Sequence, residues 1–184
     1  MSLTILSIGN LIERKGHRYL IKACQKVMIR PLSLVIIGEG KERENLLHQW
    51  EYGTYQDFGL NLVPRCTEKE LKAWMEKADV FCLPSVTDKR GLKEGLGLVL
   101  IEAIKAGLPC VAFNNGGVCD IITHGVTGYI CGEKNYNSMA FYIEMCAEGM
   151  INTTRAKQII NQKFDIETIR RRLNNQIRRA GAVG

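Results

Sequence analysis

Leu34-Val35-Ile36-Ile37-Gly38-Glu39-Gly40 is the stretch on which the fold class turns. Four apolar residues in a row, three of them β-branched, suit a strand buried on both faces, because a half-exposed strand would alternate apolar with polar. The glycine turn after it ends the strand sharply. Working outward, Leu3-Thr4-Ile5-Leu6-Ser7-Ile8 stops at Gly9 in the same way, and Asp79-Val80-Phe81-Cys82-Leu83 stops at Pro84. Pro109-Cys110-Val111-Ala112-Phe113 runs into Asn114-Asn115-Gly116-Gly117, and Gly128-Tyr129-Ile130 gives a last short strand.

Helical signals fill the gaps. Leu20, Ile21, Cys24 and Val27 fall on one face of a helix expected from about 16 to 28. Further helices are expected at about 41–51, at 68–77, and at 98–106 with Gly107 as C-terminal cap. The segment 53–61 reads as loop, leaving Leu62-Val63 at most a short strand; 85–96 reads as a long polar loop, and 135–180 as helical. Apolar strands separated by helices indicate a three-layer, Rossmann-like α/β domain with a mostly parallel sheet. Ligands of such sheets bind beyond the carboxyl ends of the strands, where the glycine-rich turns fall.

Composition agrees with one domain over residues 1–184. The chain is 46% apolar and 24% charged, with 25 Lys+Arg against 19 Asp+Glu. That excludes whole-chain disorder, and no apolar run is long enough to span a membrane. The opening Met1-Ser2-Leu3 shows no signal-peptide pattern. The net charge of +6 permits an anionic ligand, a nucleic acid or an anionic membrane surface. Seven cysteines, an odd number with no Cys-x-x-Cys pair, read as free thiols of a reducing compartment, which points to the cytoplasm; no metal site is expected. His17, His48 and His124 show no metal-ligand spacing, and none is given a catalytic role.

Two glycine fingerprints fail. Gly38-x-Gly40 lacks a small residue at the sixth position, where Arg43 stands, so a dinucleotide site is not expected. No Gly-x4-Gly-Lys-Ser/Thr loop is present. The segment Glu94-Gly95-Leu96-Gly97-Leu98-Val99-Leu100-Ile101-Glu102 says more. Its Glu-x7-Glu spacing alone means little, since Glu68 and Glu76 share it on one helix. Here Glu94 lies in a loop, and Gly95 and Gly97 turn the backbone into a helix whose first N–H groups, at Leu98 and Val99, suit a diphosphate. Glu102 can accept hydrogen bonds from a ribose diol, and Glu94 from sugar hydroxyls.

This arrangement resembles glycosyltransferase family 4 (glycosyl transferases group 1), and the resemblance covers nearly the whole chain. The motifs that carry it are, in order, Gly9-Asn10-Leu11-Ile12-Glu13-Arg14-Lys15-Gly16, the turn Gly38-Glu39-Gly40, Ala78-Asp79-Val80-Phe81-Cys82-Leu83-Pro84-Ser85, and the paired-glutamate helix through Pro109. Gly116-Gly117-Val118 and His124-Gly125-Val126-Thr127-Gly128-Tyr129 complete them. The resemblance implies the C-terminal, donor-binding half of a GT-B enzyme, with its N-terminal acceptor half missing. It implies a retaining, metal-independent glycosyltransferase with no cofactor, using a UDP- or GDP-linked sugar in polysaccharide or glycolipid synthesis. A non-catalytic nucleotide-sugar binding module is the alternative.

By the same resemblance Lys15 and Glu94 are catalytic, Lys15 stabilising the leaving diphosphate and Glu94 contacting the donor sugar. Gly9, Asn10, Gly38, Arg65, Cys66, Gly97, Leu98, Val99, Glu102 and Gly117 join them in binding the donor. Asn10 departs from the family's usual arginine, and Arg14 is a candidate to supply the missing charge. Asp120 reads as a cap of the short helix that follows Gly117. Loop 86–93 reads either as a specificity element beside the sugar or as a solvated loop. A terminal helix over 165–180 carries Arg170-Arg171-Arg172 and Arg178-Arg179. These read as a solvated face, as a contact for the missing half, or as a peripheral contact with anionic lipid at the inner face of a membrane. No nucleic-acid partner is expected, since no binding module accompanies the arginines.

Overall fold

The structure, a computed structural model, describes residues 2–53 and 58–165. The expected terminal helix over 165–180 lies outside the described residues apart from Asp165. Six strands form one sheet: β1 (Leu3–Ile8), β2 (Leu32–Ile37), β3 (Phe58–Val63), β4 (Val80–Leu83), β5 (Cys110–Phe113) and β6 (Tyr129–Cys131). Their order is β3-β2-β1-β4-β5-β6, and every pairing is parallel. The sequence leads to a mostly parallel sheet, and the sheet is wholly so.

Among the described residues seven α-helices cover it: α1 (His17–Cys24), α2 (Arg43–Glu51), α3 (Glu68–Lys77), α4 (Leu98–Ala106), α5 (Val118–Ile121), α6 (Tyr136–Ala147) and α7 (Thr153–Lys163). α1 packs against α2 and α6, while α4 packs against α3 and α7, so two helical layers sandwich the sheet. β4 and β5 are buried at every position, as their unbroken apolar runs require.

Three local expectations are corrected. Residues 58–61 are not loop but most of edge strand β3, which pairs with β2 from Phe58 to Val63. An edge strand buries mainly one side, so Phe58 and Leu62 are covered while Gly59 and Asn61 stay exposed. The helical stretch after 135 breaks at Gly149, whose φ of 78° suits glycine, and restarts with Asn152 accepting the Arg155 N–H at 2.9 Å. Asp120 does not cap α5; it sits in that helix's first turn behind Gly117, which offers no side chain to cap with.

Strand order places the ligand region. The chain leaves β1 toward β2 and β3 and returns to β4 on the other side of β1. The connections after β1 and β4 therefore diverge, opening a crevice at the sheet's carboxyl edge.

Candidate functional site

The crevice holds a cleft of about 430 Å³, lined on one side by Gly9, Asn10 and Lys15 and on the other by Glu94, Gly97, Leu98 and Val99. All seven are sequence-predicted site residues. Lys15 ends a 3-10 turn (Glu13–Lys15) that is followed by Gly16 at a φ of 64°. A Cβ on Gly16 would lie 1.9 Å from the Pro84 carbonyl oxygen, so only glycine lets the turn meet the end of β4 this closely. Gly9 makes room for the lysine stem, since a Cβ there would sit 3.2 Å from Lys15 Cδ.

Lys15 Nζ donates to Glu94 Oε2 at 2.7 Å, and both side chains are mostly covered. Ser85 Oγ donates to the same oxygen at 2.5 Å. Burial pushes the Glu94 carboxyl up, but the hydrogen bonds from Lys15 and Ser85 and the charges of Lys15 and Arg14 outweigh it. The carboxyl is held below its usual range and stays ionised at neutral pH.

The Glu94 backbone is fixed as tightly. Its N–H donates to Asn115 Oδ1 at 2.7 Å. Asn115 Nδ2 in turn donates to Thr87 Oγ1 at 2.9 Å and Glu133 Oε2 at 2.8 Å, and Thr87 donates to Glu133 through both its N–H and its hydroxyl. The Gly117 N–H donates to the Gly95 carbonyl at 2.9 Å. A Cβ on Gly116 would fall 1.8 Å from the Glu94 carbonyl oxygen. The 116–117 turn thus acts as a seat for the loop carrying Glu94, which the sequence did not disclose.

Gly97, at a φ of 69°, is the N-cap of α4 and has no side chain to satisfy the helix. The N–H groups of Leu98 and Val99 have no acceptor among the described residues, so they open into the cleft with the positive end of the helix dipole. Glu102, one turn further along α4, is exposed and lies outside the cleft lining.

The remaining predicted residues fall around this centre. Gly38 packs loop on loop: a Cβ there would meet the Gly9 carbonyl oxygen at 2.1 Å. Arg65 is exposed and Cys66 half-buried, between β3 and the capping box that starts α3 at Thr67. Neither lines the cleft, and β3 lies two strands from β1. Arg14 does not join Lys15; its guanidinium donates to the Lys93 carbonyl at 2.8 Å. Among the described residues Lys15 is therefore the only cationic side chain in the lining. His17 is buried, and among the described residues neither ring nitrogen has a partner. His124 Nδ1 accepts the Ile130 N–H at 3.1 Å and its ring packs on Tyr129 and Tyr142. Among the described residues no His, Cys, Asp and Glu side chains group to hold a metal. No described helix is long and apolar enough to cross a membrane.

The model of the family described as glycosyl transferases group 1 matches residues 1–163. An uncharacterized glycosyltransferase of Haemophilus influenzae is 33% identical over 172 residues, which are 90% of this chain and 46% of that protein. The amylovoran biosynthesis glycosyltransferase AmsK of Erwinia amylovora is 32% identical over 149 residues, 80% of this chain and 36% of that one. The chain thus spans less than half the length of these relatives. Among solved structures, Anabaena Alr3699/HepE in complex with UDP superposes with a TM-score of 0.77 at 24% identity, covering 96% of this chain and 48% of that one. This likeness extends to the fold.

Proposed function

The chain belongs to the glycosyl transferases group 1 family, and from that premise we propose that it is the donor-binding domain of a retaining glycosyltransferase. It takes a sugar from a nucleoside diphosphate sugar, UDP- or GDP-linked, and passes it to an acceptor in polysaccharide or glycolipid synthesis. The observation that carries the reading is the meeting, in one cleft, of an ion-paired lysine and the unpaired N–H groups of Leu98 and Val99. A relative involved in amylovoran biosynthesis and a UDP complex of the same fold support it.

Each part has a physical task. The Leu98 and Val99 N–H groups receive the diphosphate. Lys15, with three N–H donors and one given to Glu94, turns the others to phosphate oxygens and stabilises the charge that builds up as the glycosyl bond breaks. Glu94, held as a carboxylate, accepts hydrogen bonds from sugar hydroxyls and opposes the positive character at the anomeric carbon. Glu102 takes the ribose diol. Gly38, Arg65 and Cys66 flank the base, and Gly117 supports the sugar end by seating the Glu94 loop. The donor phosphate itself assists deprotonation of the acceptor, so no protein nucleophile is required.

Transfer needs a second, acceptor-binding domain across the cleft, which the greater length of the relatives supports. The cytoplasm is the proposed location, since the seven cysteines are all free. Asn10 favours a second reading. With a neutral side chain where family members usually carry arginine, the cleft has one cation among the described residues, itself paired. A domain that binds nucleotide sugars without turning them over would tolerate that.

Calorimetric titration of UDP, GDP and ADP, then of their sugars, tests the proposal. One diphosphate is expected to bind at about micromolar strength and to weaken in Lys15→Ala. Binding of none, or binding indifferent to Lys15, contradicts it. Asn10→Arg in a protein that includes the acceptor half separates the readings: a large rate gain marks a weakened enzyme, and no turnover with either residue marks a binder.

A further inference from the structure

A second cavity, of about 420 Å³, opens at the same edge of the domain between the 3-10 turn, the turn after β2 and the loop after β4. Arg14, Lys41, Lys89 and Arg90 bring four positive charges to its walls against Glu13 and Asp88. Asp88 is already engaged. Its Oδ1 accepts the N–H groups of Arg90 and Leu92, both at 2.9 Å, and its own N–H donates to the Leu92 carbonyl at 3.0 Å. The carboxylate is thus the internal tie of a closed turn that presents Lys89 and Arg90. Among the described residues no acidic side chain lies within ion-pair distance of Lys41, Lys89 or Arg90. Arg14 is fixed through the Lys93 carbonyl, and its own carbonyl accepts the Val86 N–H at 2.8 Å.

The two recesses share no lining residue but touch at consecutive ones, with Arg14 in this cavity and Lys15 in the donor cleft. Lys93, which holds Arg14, precedes Glu94. An anion in the second cavity would therefore be held by residues that directly precede Lys15 and Glu94 in the chain.

We infer that this cavity is an anion subsite for the acceptor, and that the acceptor carries a phosphate or diphosphate group near the hydroxyl it offers. The inference rests on the donor-domain reading. The excess of two positive charges matches a phosphate dianion, and guanidinium and ammonium groups together suit its several oxygens. The volume leaves room for a sugar residue alongside. The loop over residues 86–93 thereby acquires a task, that of presenting cations to the acceptor.

Inorganic pyrophosphate is the first probe, followed by amide chemical shifts of the whole chain. The expected result is movement of the Arg90 and Gly91 amides. That movement survives Lys15→Ala, and the affinity falls about tenfold or more in the Lys41→Ala/Lys89→Ala/Arg90→Ala variant, whose substituted side chains are all exposed. Movement confined to the Gly97–Val99 amides, no binding, or binding indifferent to the triple substitution overturns the inference. Failure of the donor reading shows separately, as absent nucleotide binding at Gly97–Val99. Glucose 1-phosphate in solution and equimolar phosphatidylglycerol–phosphatidylcholine vesicles then separate a free sugar phosphate from a membrane-held headgroup. Binding to either that the triple variant loses supports the shared chemistry, and binding to neither overturns it.

Discussion

Removing the lysine from the Lys15–Glu94 pair leaves a carboxylate that is 8% exposed beside Ser85 with no cation in contact. The two charges are 2.7 Å apart, and Lys15 is itself only 16% exposed. Exposed ion pairs contribute about 0–1 kcal/mol, whereas breaking a buried one costs about 3–5 kcal/mol. This pair lies near the buried end, with one edge open to the cleft, so Lys15→Met should cost about 2–3 kcal/mol. Glu94→Gln keeps the shape and a partner for Ser85, and should cost about 1–2 kcal/mol. The double variant should cost less than the sum, with a coupling of about 1.5 kcal/mol. Urea unfolding of the four proteins at pH 7 measures this. Because the Glu94 carboxyl is held below its ordinary value, the unfolded chain takes up that proton first as pH falls. The pair's contribution is present above about pH 4.5 and is lost below it. A coupling under about 0.5 kcal/mol at pH 7, or one that persists unchanged at pH 3, would refute the idea of a preorganised, ionised pair.

His17 supplies a separate pH signature. Burial and then the nearby charge of Lys15 push it down to about 3. The unfolded chain binds this proton near pH 6.5 and the folded one does not, so stability present above pH 6.5 is lost as pH falls toward 3. Between pH 6.5 and 4.5 the loss should be about 2 kcal/mol, and His17→Leu should abolish it without lowering stability at pH 7; an unchanged slope in that variant sinks the assignment. Gly116→Ala adds a Cβ 1.8 Å from the Glu94 carbonyl oxygen at a φ of 56°. The loop must retreat by more than about 1 Å, so a nucleotide sugar should lose about tenfold in affinity while the bare diphosphate binds as before, as calorimetry would show. Glu102→Ala should weaken a nucleoside diphosphate about tenfold, leave pyrophosphate unaffected and leave urea stability within about 0.5 kcal/mol, because the side chain is exposed.

The parts of this protein that were legible in its sequence are those whose signal is local. Continuous apolar runs such as Val80–Leu83 sit where strands are buried on both sides, and the glycine turns after them mark the functional edge. Gly97 and the helix it opens could be read from a few neighbouring residues. Strand β3 was missed because an edge strand tolerates Gly59 and Asn61 on its open side, although Phe58, Leu60 and Leu62 keep a period of two. The seat beneath Glu94 was illegible for another reason. Ser85, Thr87, Asn115 and Glu133 meet only because β4, β5 and β6 lie side by side, and no local spacing encodes that order. Arg14 went elsewhere than its sequence position suggests, because consecutive residues of a tight turn project in different directions.

The central claim is that the open end of α4, facing Lys15 across the crevice, receives a nucleoside diphosphate. Backbone amide shifts of the chain titrated with UDP and with GDP test it most directly. The account predicts that one of them moves the Gly97, Leu98 and Val99 amides most, with Gly9 and Asn10 following, and that Lys15→Ala diminishes these shifts. Shifts centred instead on Gly38–Gly40, with the amides of α4 unmoved, would contradict it.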